Sequence, residues 1–443
     1  MMNQKLIPFL IKDVEPGSDS PGLNLLGTIN GNLIFSTFNP PVNGLNTKLW
    51  KTDGSEAGTF VIRDFGSSSF PPSSAIKVDD VLYFIMNTSL RSISLLRSDG
   101  TESGTFALVN IDPRSPANIG GLTGTGNTVY YTGFDSSDSF QSKLFKIDNN
   151  TNNPVQVQQN VTAGGANPSN LTAVNSTLFF SANANSIQQG TVDTELWKSD
   201  GTDAGTVLVK NINPNDSSSP DNLTNINSTL FFTADDGSNG RELWKSDGSQ
   251  AGTVLIKDIN PGNPGSNPSK LTDVNGTAYF IADNGTNGSE LWKSDGSEAG
   301  TVLVKDIIPG SSGSTIENLT NVNGTLFFTV NDGSNGVELW KSNGTAGGTA
   351  IVADINPGGN SSNPGNLTNV NGILYFTAND GSNGIELWKS DGTAQGTSIV
   401  GDINPGSASS NPGDLTNLNG QLYFSADDGV NGRELWGLTE DKG

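Results

Sequence analysis

The side chains of this chain that could do chemistry are mostly oxygen ligands. Asp235, Asp236 and Asn239 fall within one short turn, and Asp283 and Asn287 repeat the arrangement further along. Asp258 and Asp306 each end a candidate strand that would bring them to the same face. Calcium takes roughly six to eight oxygens at about 2.3–2.6 Å, so these seven residues are a candidate calcium set, although the chain requires no cofactor. The segment Asp-Asp-Gly-Ser-Asn-Gly lacks the downstream bidentate Glu of a calcium loop. Asx-turn capping accounts for the same residues, and that reading is preferred.

Other chemistries are narrowed by what is missing. The sequence has no His and no Cys, which removes Ser-His and Cys-His pairs, imidazole zinc sites, thiolate sites and disulfides. Isolated acids such as Asp273 occur without a converging set, so no catalytic residue is assigned. A net charge of −22 repels a phosphate backbone, so nucleic acid is not an expected partner. No apolar run approaches the roughly 18 residues of a membrane helix, and membrane insertion is not expected. The stretch from Met1 to Asp13 lacks the apolar core and cleavage site of a signal peptide and is read as a strand.

The aromatic candidates are Trp197, Trp244, Trp292, Trp340, Trp388 and Trp436. Flat indole faces suit sugars, so they could line glycan pockets. The competing reading makes each the core anchor of its repeat, burying about 150–250 Å², and their mid-strand position favours that.

These tryptophans stand in the pattern Glu-Leu-Trp-x-x-Asp-Gly-Ser/Thr-x-x-Gly-Thr, complete or nearly so at Glu195, Glu242, Glu290, Glu338 and Glu386 and truncated at Glu434. Weaker copies surround Trp50, Leu96 and Phe145, giving spacings of 46, 49, 52, 47, 48, 48, 48 and 48. One period from end to end overrides a multi-domain estimate from length. Within a unit, Leu223–Ile226, Thr229–Ala234, Glu242–Ser246 and Thr253–Ile259 read as strands separated by turn residues. The first turn is Asn-Gly in five copies, a hairpin signal because both residues accept positive φ. Helical spacing is absent.

Four short antiparallel strands per unit predict an all-β fold, a single closed β-propeller of nine four-stranded blades. The blades run roughly over 23–64, 75–111, 121–161, 170–212, 222–259, 270–307, 318–355, 366–403 and 414–436 plus 6–14. The last unit lacks its fourth strand, and residues 9–17 align with 254–262, so the N-terminal strand completes the last blade and removes the open edge. Eight blades would follow if one irregular early unit failed to form. If Asp247 pairs with Gly252, then Trp244 faces Leu255 and Glu242 faces Lys257. The same offset pairs Glu195 with Lys210, Glu290 with Lys305 and, across the closure, Glu434 with Lys12. Such pairs contribute about 0.2–1 kcal/mol each.

These residues resemble the bacterial repeat family described by the string ELWxxDGTxxGT, found in hyalin-like and other large surface or secreted proteins. The resemblance implies propeller modules in extracellular or cell-surface settings, while a cytoplasmic location stays compatible with the sequence. The turn after Glu-Leu-Trp is also similar in placement to the structural Asp-box of sialidase-type propellers. The function expected is non-catalytic binding or scaffolding by a monomer, through the loop-rich Asp/Asn face, with an unidentified protein or glycan ligand. A multivalent lectin is the alternative, and a glycan-acting hydrolase or lyase the third reading.

Overall fold

The structure is a computed structural model that describes residues 6–14, 21–38, 46–89, 92–111, 119–133, 142–157, 166–183 and 193–440. The end of the third expected blade, 158–161, and the aligned residues Glu15, Pro16 and Gly17 lie outside them. Nine four-stranded antiparallel sheets form the blades of one propeller. No α-helix occurs among the described residues, so none is long and apolar enough to cross a membrane.

Blade five shows the common plan, with strands Asp221–Ile226, Thr229–Asp235, Arg241–Ser246 and Val254–Lys257. Its first turn is tight because both corner residues are left-handed. Asn275 and Gly276 of the next blade have φ of 53° and 84°, and in blade five Ser228 takes the glycine position at 65°. The irregular early units also form four strands each, so eight blades are excluded.

The second strands alternate poorly because they are covered on both faces. Phe231 packs in one core with Leu243, Phe280 and Trp292, whereas Phe232 packs in another with Phe179, Leu196 and Trp244. Each core is thus shared by neighbouring blades, and a blade cannot bury its apolar surface alone.

Closure follows the same logic. Leu6–Lys12 pairs antiparallel with Arg433–Glu440, supplying the outer strand of the last blade. Ile11, Val14, Leu418 and Leu435 then pack with Leu33, Phe35 and Trp50 of the first blade. The ring therefore closes by side-chain packing as well as by a ladder.

The expected Glu–Lys pairs do not form. Trp244 does face Leu255, but a β-bulge between Leu243 and Trp244 places Lys257 opposite Leu243. The same shift sets Lys210 opposite Leu196, Lys305 opposite Leu291 and Lys12 opposite Leu435. The extra residue turns each lysine toward the next blade: Lys257 Nζ donates to Thr301 O at 2.9 Å, and Lys12 Nζ to Thr59 O at 2.7 Å. Both lysines are thus inter-blade ties.

Candidate functional site

The repeated glutamate released from that pairing is a buried hub. Glu195, Glu242, Glu290, Glu338, Glu386 and Glu434 are all fully buried. Glu242 accepts hydrogen bonds from the backbone N–H of Asn260 and Ser266 at 3.2 and 2.7 Å and from Ser266 Oγ at 2.5 Å. It fastens the return loop to the third strand. Glu434 does the same across the closure, accepting from the N–H of Val14 at 2.8 Å. Burial raises the Glu242 carboxyl above its ordinary pKa, partly opposed by the bond from Ser266 and by backbone N–H groups.

The Asp/Asn turns expected to form a binding face are occupied by their own backbone. Asp236 Oδ1 accepts from the N–H of Ser238 and Asn239 at 2.9 and 2.8 Å, and its Oδ2 accepts from Asn239 Nδ2 at 2.8 Å. Asp235 Oδ1 accepts from the N–H of Gly237 at 2.7 Å, and Asp283 Oδ1 from that of Gly285 at 2.7 Å. In Asp236, burial pushes the pKa up, but the backbone N–H groups of Asn239 and Ser238 outweigh it and hold it low. The strand-end acids do reach the turns, since Asn287 Nδ2 donates to Asp306 Oδ2 at 2.6 Å. Asp258 Oδ1 is buried without a hydrogen-bond partner among the described residues. Among the described residues, no three Asp or Glu side chains converge as ion ligands.

The tryptophans are core residues. Trp197, Trp244, Trp292 and Trp340 are buried with relative exposures of 5–6%, and Trp388 and Trp436 reach only 9%. Phe180 and Trp197 stack at 6.5 Å, so the indole face a sugar would need is covered.

The surface left for a ligand is the central channel, walled by the first strands. Asn318, Leu319 and Thr320, their equivalents Asn366, Leu367 and Thr368, and Asp414, Leu415 and Thr416 line a cavity of about 400 Å³ with Leu25. Asn170, Asn222, Lys270, Asn318, Asn366 and Asp414 all hold the same position with φ between 52° and 58°. An αL residue inside a strand is unusual unless it is Asn, Asp or Gly, and here it skips the pairing register. That skip re-aims the side chain.

Asn170, Asn318 and Asn366 donate Nδ2 to the carbonyls of Pro220, Pro364 and Pro412 in the next blade, at 3.2, 3.3 and 3.2 Å. Each of these amides thus ties its blade to the next, and Asn318 Nδ2 also donates to Thr329 Oγ1 at 3.1 Å. Within these six blades, the symmetry breaks at two positions. Lys270 Nζ donates to Ile316 O at 2.7 Å and pairs with Glu317 at 2.5 Å. Asp414 accepts from Ser425 Oγ at 3.3 Å, and burial raises its pKa against the opposing pull of Ser425 and Arg433. Sequence reasoning passed over Lys270, Glu317 and Asp414. The available signal was a Lys and an Asp where neighbouring copies carry Asn before Leu-Thr.

No family model matches this chain, and no curated protein matches it. Solved structures resemble it at a distance. The β-propeller domain of the Trilobed protease from Pyrococcus furiosus, described as having an open velcro topology, is 11% identical with a TM-score of 0.41, covering 73% of this chain and 95% of that one. Prolyl oligopeptidase B from Galerina marginata is 14% identical with a TM-score of 0.45, covering 75% of this chain and 51% of that one. Pyrococcus horikoshii acylaminoacyl peptidase is 10% identical with a TM-score of 0.40, covering 82% and 59%. This chain spans about half the length of the oligopeptidase. At these identities the likeness concerns the fold, and no activity is carried over.

The expectation of a non-catalytic binding or scaffolding propeller, or of a lectin, is corrected. Similar propellers occur in structures titled as prolyl endopeptidase, acylaminoacyl peptidase and prolyl oligopeptidase. In this chain the Asp/Asn turns meant to form the binding face are bonded to themselves, and the tryptophans meant for sugar are buried.

Proposed function

We propose that this propeller is the substrate-admitting channel of a peptide-hydrolysing system, with bond cleavage supplied by a separate catalytic polypeptide or domain. The observation that carries the reading is the channel wall: a repeated polar lining, Asn318, Thr320, Asn366, Thr368 and Asp414, whose side-chain oxygens can accept and whose amides are tied to the next blade by one bond each. An extended peptide presents N–H donors at regular intervals whatever its sequence. A wall in which six neighbouring units are near-identical suits a ligand recognised by its backbone. The net charge of −22 adds attraction for basic segments. Cleavage is assigned elsewhere because the chain has neither His nor Cys to activate a nucleophile. The resemblance of the repeat to secreted and cell-surface proteins supports an extracellular setting, where free peptides are available substrates.

The test is fluorescence anisotropy with a labelled, unstructured, lysine-containing 20-residue peptide. Wild-type protein is compared with a Thr320→Trp/Thr368→Trp variant that fills the channel mouth. Binding weakened at least tenfold in the filled variant, with unchanged melting temperature, supports the reading. Equal affinity of the two proteins, or no binding by either, refutes it.

A further inference from the structure

Around the ring, the outer turn of each blade docks on the blade before it. Lys198 Nζ donates to Gly248 O at 2.8 Å and Lys245 Nζ to Gly296 O at 2.7 Å. The rings of Phe179 and Phe231 lie against those glycines, where an added Cβ would come within 3.1 Å of either ring. Phe327 with Lys341 meets Gly392 in the same way, and Tyr279 with Lys293 meets Gly344. The docked carboxyls respond: the bonds from Ser249 chiefly, and Lys198 in addition, hold Asp247 below its ordinary pKa. Ser297 and Lys245 do so for Asp295, and Thr393 and Lys341 for Asp391. Aromatic ring plus lysine is therefore the fold's own receptor for an Asp-Gly turn.

The eighth blade presents that receptor too, as Tyr375 and Lys389, but no Asp-Gly turn among the described residues docks on it. The third strand of the ninth blade makes no Asp-Gly turn and continues through Gly437, Leu438 and Thr439 to pair with Phe9, Pro8 and Ile7. Closure by the N-terminal strand thus removes the one turn this receptor would have held. In its place is a cavity of about 440 Å³ bounded by Leu6, Ile373, Tyr375, Lys389, Gln395 and Ser398, with Asp391 and Gly396 of the blade's own turn also on its wall. Tyr375 is buried at 5% exposure, and Lys389 has no hydrogen bond or ion pair with a described residue.

We propose that this seam cavity is a docking site for an acidic β-turn of the Asp-Gly type presented by another polypeptide. Lys389 receives the turn's carboxylate or carbonyl, and the Tyr375 ring packs under its glycine. Charge complementarity favours an acidic turn: the half-buried Lys389 would gain a facing carboxylate, as Lys198 and Lys245 do from the docked Asp247 and Asp295. A second copy of this chain is a poor donor. Its regular turns at Gly54, Gly201, Gly248, Gly296, Gly344 and Gly392 are already in contact with the preceding blade. The site is on the outer rim and is independent of the channel reading.

The probe is a fluorescent, capped peptide of sequence Trp-Lys-Ser-Asp-Gly-Ser-Glu-Ala-Gly-Thr, that of residues 292–301, titrated with the full chain by polarisation. Saturable binding is expected. It should weaken at least tenfold with Lys389→Glu, with cavity-filling Ser398→Trp, and when the peptide's Asp is replaced by Lys. The surface variant Lys77→Glu should bind as wild type, and melting temperatures verify that every variant is folded. Equal affinity for wild type and Lys389→Glu, or absence of binding, overturns the proposal. Binding that appears only after residues 441–443 or 1–5 are deleted overturns it in favour of the chain's own ends as occupant.

Discussion

Replacing Glu242 by leucine tests whether the buried glutamate is a backbone hub or half of an ion pair. The substitution keeps bulk but removes the acceptor for the N–H groups of Asn260 and Ser266 and for Ser266 Oγ. Each buried donor left without a partner costs about 1–3 kcal/mol, so the gross loss for three donors is about 3–9 kcal/mol. Removing a desolvated carboxylate offsets part of this, and a net loss of about 3 kcal/mol is expected. Unfolding entropy near 60 °C is roughly 2.1 cal/mol/K per residue, or about 0.9 kcal/mol/K for 443 residues. The melting temperature measured by scanning calorimetry should then fall by about 3 °C, provided that the ring melts as one unit. Glu242→Gln keeps one carbonyl oxygen for the two N–H groups and should cost about 1 kcal/mol. Lys257→Met removes only the bond to Thr301 O and should also cost about 1 kcal/mol. If Lys257→Met proved as damaging as Glu242→Leu, the two side chains would be acting as a pair and the hub would be refuted. Equal losses for Leu and Gln would refute it as well.

Stability should have a maximum on the acid side of neutrality. Burial raises the carboxyl pKa of Glu195, Glu242, Glu290, Glu338 and Glu386 above 4.5. The folded state therefore binds their protons more tightly than the unfolded chain, and stability rises as pH falls through the folded values toward 4.5. Turn aspartates such as Asp247 and Asp236 are held below 3.8, so their contribution is present above 3.8 and is lost as pH falls through the lower folded values. A melting temperature that declines steadily from pH 7 to pH 4 would contradict the first assignment. Asp247→Ala removes the acceptor for the N–H and Oγ of Ser249 at 2.8 and 2.7 Å and should cost about 1–2 kcal/mol by denaturant titration. Asp247→Asn should be nearly neutral, because Asn343 makes the same bonds to Thr345 at 3.0 and 2.8 Å.

What the sequence by itself determined was the repeat and everything local to it. A period near 48, turn residues with positive φ and a missing strand at one end with a surplus at the other specify nine blades and their closure, because those constraints act within one unit or between chain ends. Trp244 facing Leu255 was legible for the same reason: the Asp-Gly turn sets the register as far as the next residues. One residue further, a bulge invisible in the residue pattern moved Lys257 away from Glu242, and the roles of both side chains changed. The glutamate became a hub because its burial depends on the return loop folding over it, and the lysine a tie because the next blade stands within its reach. Lys270, Glu317 and Asp414 gain meaning only from the ring, which sets them on the inner strands of three blades. The empty receptor at Tyr375 and Lys389 has no signature in its own blade, whose residues match the other copies. It exists because the neighbouring blade is completed from the far end of the chain, a relation that only the closed tertiary structure creates.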